Sequence, residues 1–247
     1  MKPVDLALPR WRRSFFGRLP ALPLLAAAAL SAAELPGPAR EALAGFATDA
    51  PPGWAYTLTT RRGGESSIER YDPARPPGQQ WQLLKHNGAD PSPGEIDRYD
   101  RYRVTLNATA PRATFRRGDI DSAFARFLGT TDGLDEYACL FRADVDDPLL
   151  NHLELRFWVA RQTASIPRYQ LHLKEPFSPI IGMKIEQLDV EVILSPPAAD
   201  RPALPRNSHS VFHGRFLLVK SVDEETSVSY SDYERRTPPP PPSGSTP

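Results

Sequence analysis

The middle and C-terminal parts of the chain alternate between apolar and polar positions. Leu153, Leu155, Phe157 and Val159 share one parity while His152, Glu154 and Arg156 hold the other, the period of two expected of a strand with one buried and one solvated face. Leu171 and Leu173 repeat the pattern against Arg168, Gln170, His172 and Lys174. Further on, Ile181, Met183 and Ile185 are odd-numbered but Leu188, Val190, Val192 and Leu194 are even, so a bulge near Glu186-Gln187 is needed to restore a single apolar face. Between 208 and 220 both parities are apolar, with Val211, Leu217 and Val219 on one and Phe212, Phe216 and Leu218 on the other, which predicts a strand covered on both sides. Segments 137–143, 149–160, 166–174, 181–194, 208–220 and 226–233 thus read as six consecutive strands with no helix between them, the pattern of an antiparallel meander.

The first half is mixed. Pro38 to Thr48 is alanine-rich, with Leu43 and Phe46 on one helical face, and Pro51-Pro52-Gly53 stops it. Trp54, Tyr56 and Leu58 alternate with smaller residues up to Arg62-Gly63-Gly64, and Ser67 to Tyr71 returns, predicting a hairpin. Trp81 to Lys85 is a further strand leading into Asn87-Gly88, a turn pair tolerant of positive φ. Ser92-Pro93-Gly94-Glu95 then supplies an N-cap hydroxyl, a proline at the first helical position and a glutamate at the third. Ile96 and Tyr99, then Tyr102 or Arg103, continue at helical spacing. A second helix is predicted over 119–128, where Ile120, Phe124 and Phe127 or Leu128 share a side and Gly129 follows. The fold class that results is α+β: one antiparallel sheet with a few helices, in a single domain over 34–236.

The ends change the picture. Arg10, Arg12, Arg13 and Arg18 precede the apolar run Leu19 to Leu30 and the small residues Ser31-Ala32-Ala33, the layout of a cleaved signal peptide over 1–33. The apolar run is shorter than the roughly 20 residues of a membrane span. Arg12-Arg13-Ser14-Phe15-Phe16 also resembles a twin-arginine signal, although Trp11 stands where a small hydroxyl residue is preferred, so both export routes stay open. The expectation is a periplasmic mature chain with no membrane span. The whole chain has 30 basic and 30 acidic residues; removing Lys2, the four arginines and Asp5 leaves 25 against 29, a net charge of −4. So acidic a balance offers nucleic acid no bulk attraction. Thr237 to Pro247, dominated by proline, reads as a solvated, disordered tail.

Candidate chemistry is sparse. His209 and His213 stand four apart, a metal-binding spacing on a helix, but Val211-Phe212 and Phe216-Leu-Leu-Val219 mark a strand, where such positions lie about 13 Å apart. His86, His152 and His172 read as isolated, solvated residues. Asp144-Val-Asp146-Asp147 lacks the glycine and terminal glutamate of a calcium loop and reads as a turn. Cys139, the only cysteine, sits in the apolar run Tyr137 to Phe141, which marks an inert core thiol. There is no Gly-x-Ser-x-Gly and no phosphate-cradling glycine loop. The expectation is a non-enzymatic protein with no catalytic residues, no metal and no cofactor. Tyr99 and Tyr102 with Arg98, Arg101 and Arg103 form a basic, aromatic helix, read as a solvated face whose tyrosines pack on the sheet.

The element order, with Glu69-Arg-Tyr-Asp-Pro73, Trp81-Gln-Leu-Leu-Lys-His-Asn-Gly88, Pro176-Phe-Ser-Pro179 and Ser229-Tyr-Ser-Asp-Tyr233, resembles exported bacterial proteins with a LolA-like half-barrel, over roughly residues 38–235. That superfamily includes periplasmic lipoprotein carriers and envelope-stress regulators. The resemblance implies a curved sheet wrapped around helices, with acyl chains held between the two. On this chain it implies an apolar concave face carrying Leu155, Phe157, Leu171, Phe212 and Phe216 as ligand-binding residues, lining a cavity of several hundred Å3. The partner implied is a lipid or lipoprotein; the alternative is a non-catalytic envelope protein that acts through a protein partner.

Overall fold

The computed structural model describes residues 35–48, 53–109, 115–217 and 220–236. The predicted signal peptide and proline-rich tail lie outside them. Ten antiparallel strands form one open, curved sheet: β1 (Trp54–Arg62), β2 (Glu65–Tyr71), β3 (Trp81–His86), β4 (Ile120–Thr131), β5 (Leu134–Phe141), β6 (Leu153–Ala160), β7 (Ser165–Leu173), β8 (Met183–Ser195), β9 (Leu204–Phe216) and β10 (Lys220–Arg235). Their spatial order is β3-β2-β1-β10-β9-β8-β7-β6-β5-β4. Every neighbour but one is also a neighbour in sequence; the exception is β1 against β10. Among the described residues two α-helices accompany the sheet, α1 (Gly37–Ala44) and α2 (Pro93–Thr109).

Both helices pack on the same face. Directly opposed residues of antiparallel strands share a face, and one cross-strand row runs Tyr137, Phe157, Tyr169, Val192, Ser208, Val228, Thr60, Ser67, His86. Helix α1 covers the apolar end of this row, on β6 and β7, and α2 stands over the polar end, on β3. Ala39, Ala42, Leu43 and Phe46 pack there with Cys139, Leu153, Leu155, Phe157 and Tyr169 in one core cluster. The ring of Phe46 meets Tyr169 edge-on at 5.2 Å.

The parity change in β8 is resolved by a bulge between Ile185 and Gln187. Ile185 then joins Val192 and Leu194 in the core, with Met183, Leu188 and Val190 packed against it. Asn87 and Gly88 both take positive φ (49° and 81°) between β3 and Ala89, and the His86 and Ala89 amides and carbonyls bond each other, the two-residue turn that the Asn-Gly pair suits.

The expected helix over 119–128 is instead strand β4, an edge of the sheet. The strand bulges twice, between Asp121 and Arg126 and between Phe127 and Gly129, and of the residues spaced as one helical face only Ile120 is buried. The first bulge turns Ala125 inward while Phe124 and Phe127 stay exposed. Bulges of this kind also blunt an edge against pairing with another strand. The meander therefore has seven consecutive strands, not six. Nor is the strand spanning Val211 to Phe216 covered on both sides. It is half-buried as far as His213, ends at Phe216, and leaves Phe216 and Leu217 exposed.

Gly214 tests the β8–β9 packing beside the bulge. A Cβ there meets the Lys184 carbonyl at 2.8 Å and the Phe212 ring at 2.9 Å. Gly214→Ala is expected to destabilise the fold by about 1–3 kcal/mol, seen as a lower urea midpoint at unchanged m-value.

Candidate functional site

Helix α2 begins as its sequence dictates. The Ser92 N–H and hydroxyl both donate to Glu95 Oε2 (2.8 and 2.6 Å), while the Glu95 N–H reaches back to Ser92 Oγ at 3.4 Å, closing a reciprocal cap on the helix N-terminus. The other Glu95 oxygen lies 2.6 Å from His86 Nδ1 at the end of β3. The cap thus also ties α2 to the sheet. These bonds hold the Glu95 carboxyl far below its ordinary value, at about 2, the Ser92 hydroxyl contributing most, then the Ser92 amide, then His86.

Two turns on, a second fastening sits deeper. Glu69, on β2, is buried and accepts hydrogen bonds at Oε2 from the Tyr99 hydroxyl (2.9 Å) and the Arg103 guanidinium. Arg103 Nε also donates to the Tyr99 oxygen at 3.1 Å. The guanidinium lies over the Trp81 ring, 4.1 Å from its centroid, and 5.4 Å from that of Tyr99, a cation–π arrangement that suits the planar group. Burial lowers the Arg103 pKa and raises that of Tyr99. Behind Trp81, the rings of Tyr56, Tyr71, Tyr230 and Tyr233 form a continuous aromatic cluster.

Helix α2 therefore stands on the sheet like a ridge, with a hollow on each flank. The inner one is a cleft of about 500 Å3 lined by Thr60, Arg62, Ser67, Glu69, Leu83, His86, Glu95, Arg98, Tyr99, Tyr102 and Arg103 among others. The outer one, about 770 Å3, lies among Arg75, Gln79, Trp81, Gln82, Ile96, Asp97 and Arg101. Within the inner cleft Arg103 is committed to Glu69 and Arg62 to Glu224. Arg98 makes no ion pair among the described residues.

None of the five residues expected to bind ligand lines either hollow. Leu155 and Phe157 are completely buried and Leu171 nearly so, all in the core cluster beneath α1. Phe212 is half-buried against that core and Phe216 is exposed at the end of β9. Apolar alternation reports burial, and at one end of the sheet α1 already supplies it. The cleft residues Glu69, Leu83 and Arg103 carry no comparable signal, since they converge only when α2 docks on β2 and β3. The tyrosine reading splits: Tyr99 packs on the sheet as expected, whereas Tyr102 is exposed.

The histidines need correction. None of the three read as isolated lacks a neighbour: His86 meets Glu95, His172 Nδ1 lies 2.5 Å from Asp189, and His152 stacks on Phe177 at 4.0 Å. His209 and His213 do lie on a strand, each beside its own partner on β10, Ser227 and Asp223. Among the described residues no group of three or more His, Cys, Asp or Glu is placed to hold a metal ion. Cys139 is buried, and burial pushes its thiol up to about 12. Asp144 pairs with Arg142 in the loop after β5. No helix among the described residues is long and apolar enough to cross a membrane. Comparison with protein-family models and with curated proteins gives no match.

Two measurements follow from the fastenings. Glu69→Ala leaves the Arg103 cation without its partner, and Arg103→Ala does the converse. Each is expected to cost about 2–3 kcal/mol, below the range for fully buried pairs, and to lower amide protection in α2. The double variant should cost no more than the worse single, read as a double-mutant cycle. Glu95 has a folded pKa below its ordinary 4.5, so its contribution is complete above about pH 4.5 and is lost as pH falls towards 2. Thermal melts across that window should show wild type losing stability more steeply than Glu95→Gln.

Proposed function

We propose that this is a non-catalytic, exported binding protein of the half-barrel type, holding an amphipathic ligand such as an acyl chain or lipidated partner between its sheet and α2. The observation that carries the reading is the pair of helices on one face of an open sheet, one sealing a core and the other leaving a cleft. The cleft volume falls in the roughly 300–1,000 Å3 range of small-ligand sites. Its lining divides by chemistry, with Leu83, Tyr99 and Tyr102 offering apolar surface and Arg98, without an ion pair among the described residues, offering a cation for an anionic head. The LolA-like element order supports the same reading by analogy of architecture, and the N-terminal basic and apolar pattern supports a periplasmic location.

A second reading is favoured by one feature, the exposed Phe124, Phe127 and Leu128 on edge strand β4: a structural or regulatory envelope protein that contacts a protein partner along that edge.

Native mass spectrometry of the protein purified from its own host, before and after organic extraction, separates them. The carrier reading expects a releasable mass in the lipid range, reduced at least tenfold by Thr60→Trp, which fills the cleft, or Leu83→Asp, which charges it. Bare protein throughout, with a polypeptide cross-linked at Phe127, would transfer the assignment to the second reading.

A further inference from the structure

At one end of the sheet two turns expose aliphatic and aromatic side chains together. Ile180 and Ile181 precede β8, and Phe216 and Leu217 end β9. Ile181 is fully exposed, Leu217 64%, Ile180 60% and Phe216 45%. The turns are joined: the Leu217 N–H donates to the Gly182 carbonyl at 2.5 Å, and Met183 pairs with Phe216 across the β8–β9 ladder. The base of the first turn is held by paired hydrogen bonds between Phe177 and Ile185 and by the Phe177–His152 stack. The apolar tip is therefore presented by a rigid support.

The local chemistry runs against what a solvated turn selects. The Met183 N–H bonds the Ile180 carbonyl and Gly182 has φ 85°, which places Ile181 at the first corner of a tight turn where proline or a polar residue is usual. Leu217 occupies the left-handed region at φ 51°, where glycine, asparagine or aspartate is normal and a leucine is strained. Both tips expose aliphatic side chains at positions that cost backbone energy or solvation.

The charges around the tip select its partner. Lys184 and Arg215 face each other across β8 and β9, one residue behind Met183 and Phe216, and Lys220 lies opposite Phe216 on β10. One residue along a strand is about 3.3 Å, so Lys184 and Arg215 lie immediately behind the apolar front and Lys220 flanks it. Segments 174–186 and 215–220 carry four cations and two carboxylates, Glu175 and Glu186. Lys184 and Arg215 share Glu186, and Lys220 makes no ion pair among the described residues. An apolar projection with basic residues at headgroup depth matches the layered chemistry of a bilayer surface. A flat or concave protein interface would not call for side chains projecting from two turn tips.

We infer that the joined turns at Ile180–Ile181 and Phe216–Leu217 form a wedge that inserts shallowly into a bilayer carrying anionic phospholipid, with Lys184, Arg215 and Lys220 on the headgroups. This does not rest on the cleft having a ligand; the wedge and the cleft are made of different residues.

Vesicle flotation of the full chain tests it, using phosphatidylcholine vesicles with and without one-quarter phosphatidylglycerol, and comparing wild type with Ile181→Asp/Leu217→Asp so that all other segments cancel. Both substituted side chains are exposed, and matching thermal melts verify the fold; Ile181→Ser/Leu217→Ser serves if the aspartates alter it. Wild type should float with the anionic vesicles, less so at high salt, and the double variant should bind at least tenfold more weakly. Equal flotation of variant and wild type, equal binding to uncharged vesicles, or no flotation at all would overturn the inference. So would a vesicle-free dimer that the same substitutions abolish, which would identify a second copy as the occupant.

Discussion

Pairing of β1 with β10 is the one contact in the sheet that joins strands far apart in sequence. From β4 to β10 the sheet is a meander, each strand laid against its predecessor by a local turn. The N-terminal hairpin and β3 join this meander through the 16-residue β10, which pairs along one edge with β9 over 220–229 and along the other with β1 over 226–235. Closing so long a loop costs chain entropy before any contact returns it. Tyr56, Tyr71, Trp81, Tyr230 and Tyr233 cluster at that seam, and the Tyr233 hydroxyl donates to the Pro205 carbonyl at 2.6 Å. Large aromatic surfaces buried at the junction are a suitable source of the compensating free energy.

The seam also decides where α2 stands. Because β1, β2 and β3 extend the same sheet, the face that α1 seals at one end continues under α2 at the other. The two ends differ in composition. Beneath α1 the facing residues are mainly aliphatic and aromatic; beneath α2 they include Thr60, Ser67, Glu69 and His86. A helix over such residues cannot settle as a hydrophobic lid, and α2 is instead held by directional bonds at Glu95 and at Glu69. Point fastenings of this kind leave space between them, and that space is the cleft.

Some of this was legible in the chain. Ser92-Pro93-Gly94-Glu95 specified the start of α2, Asn87-Gly88 the turn before it, and the parity change in β8 the bulge at Glu186, because each depends on neighbours within a few residues. The expectation of a helix at β4 has the same origin: the spacing of Ile120, Phe124 and Phe127 imitates one helical face, and only pairing with β5 shows an edge strand on which Phe124 and Phe127 are exposed.

By itself the sequence determined the strand alternation of the meander, the cap of α2 and the turn before it, since alternation, capping and turn chemistry are local. It thereby marked Leu155, Phe157 and Leu171 as apolar strand residues. Whether an apolar face meets a helix, a ligand or solvent is a property of what lies opposite, and that was settled only by tertiary structure. Docking of α1 turned those three residues into core. Convergence of Glu69, Tyr99 and Arg103 from elements some 30 residues apart created the buried ion pair, and the meeting of two distant turns created the exposed tip. In each case the deciding quantity is a distance through space, which no local pattern of residues encodes.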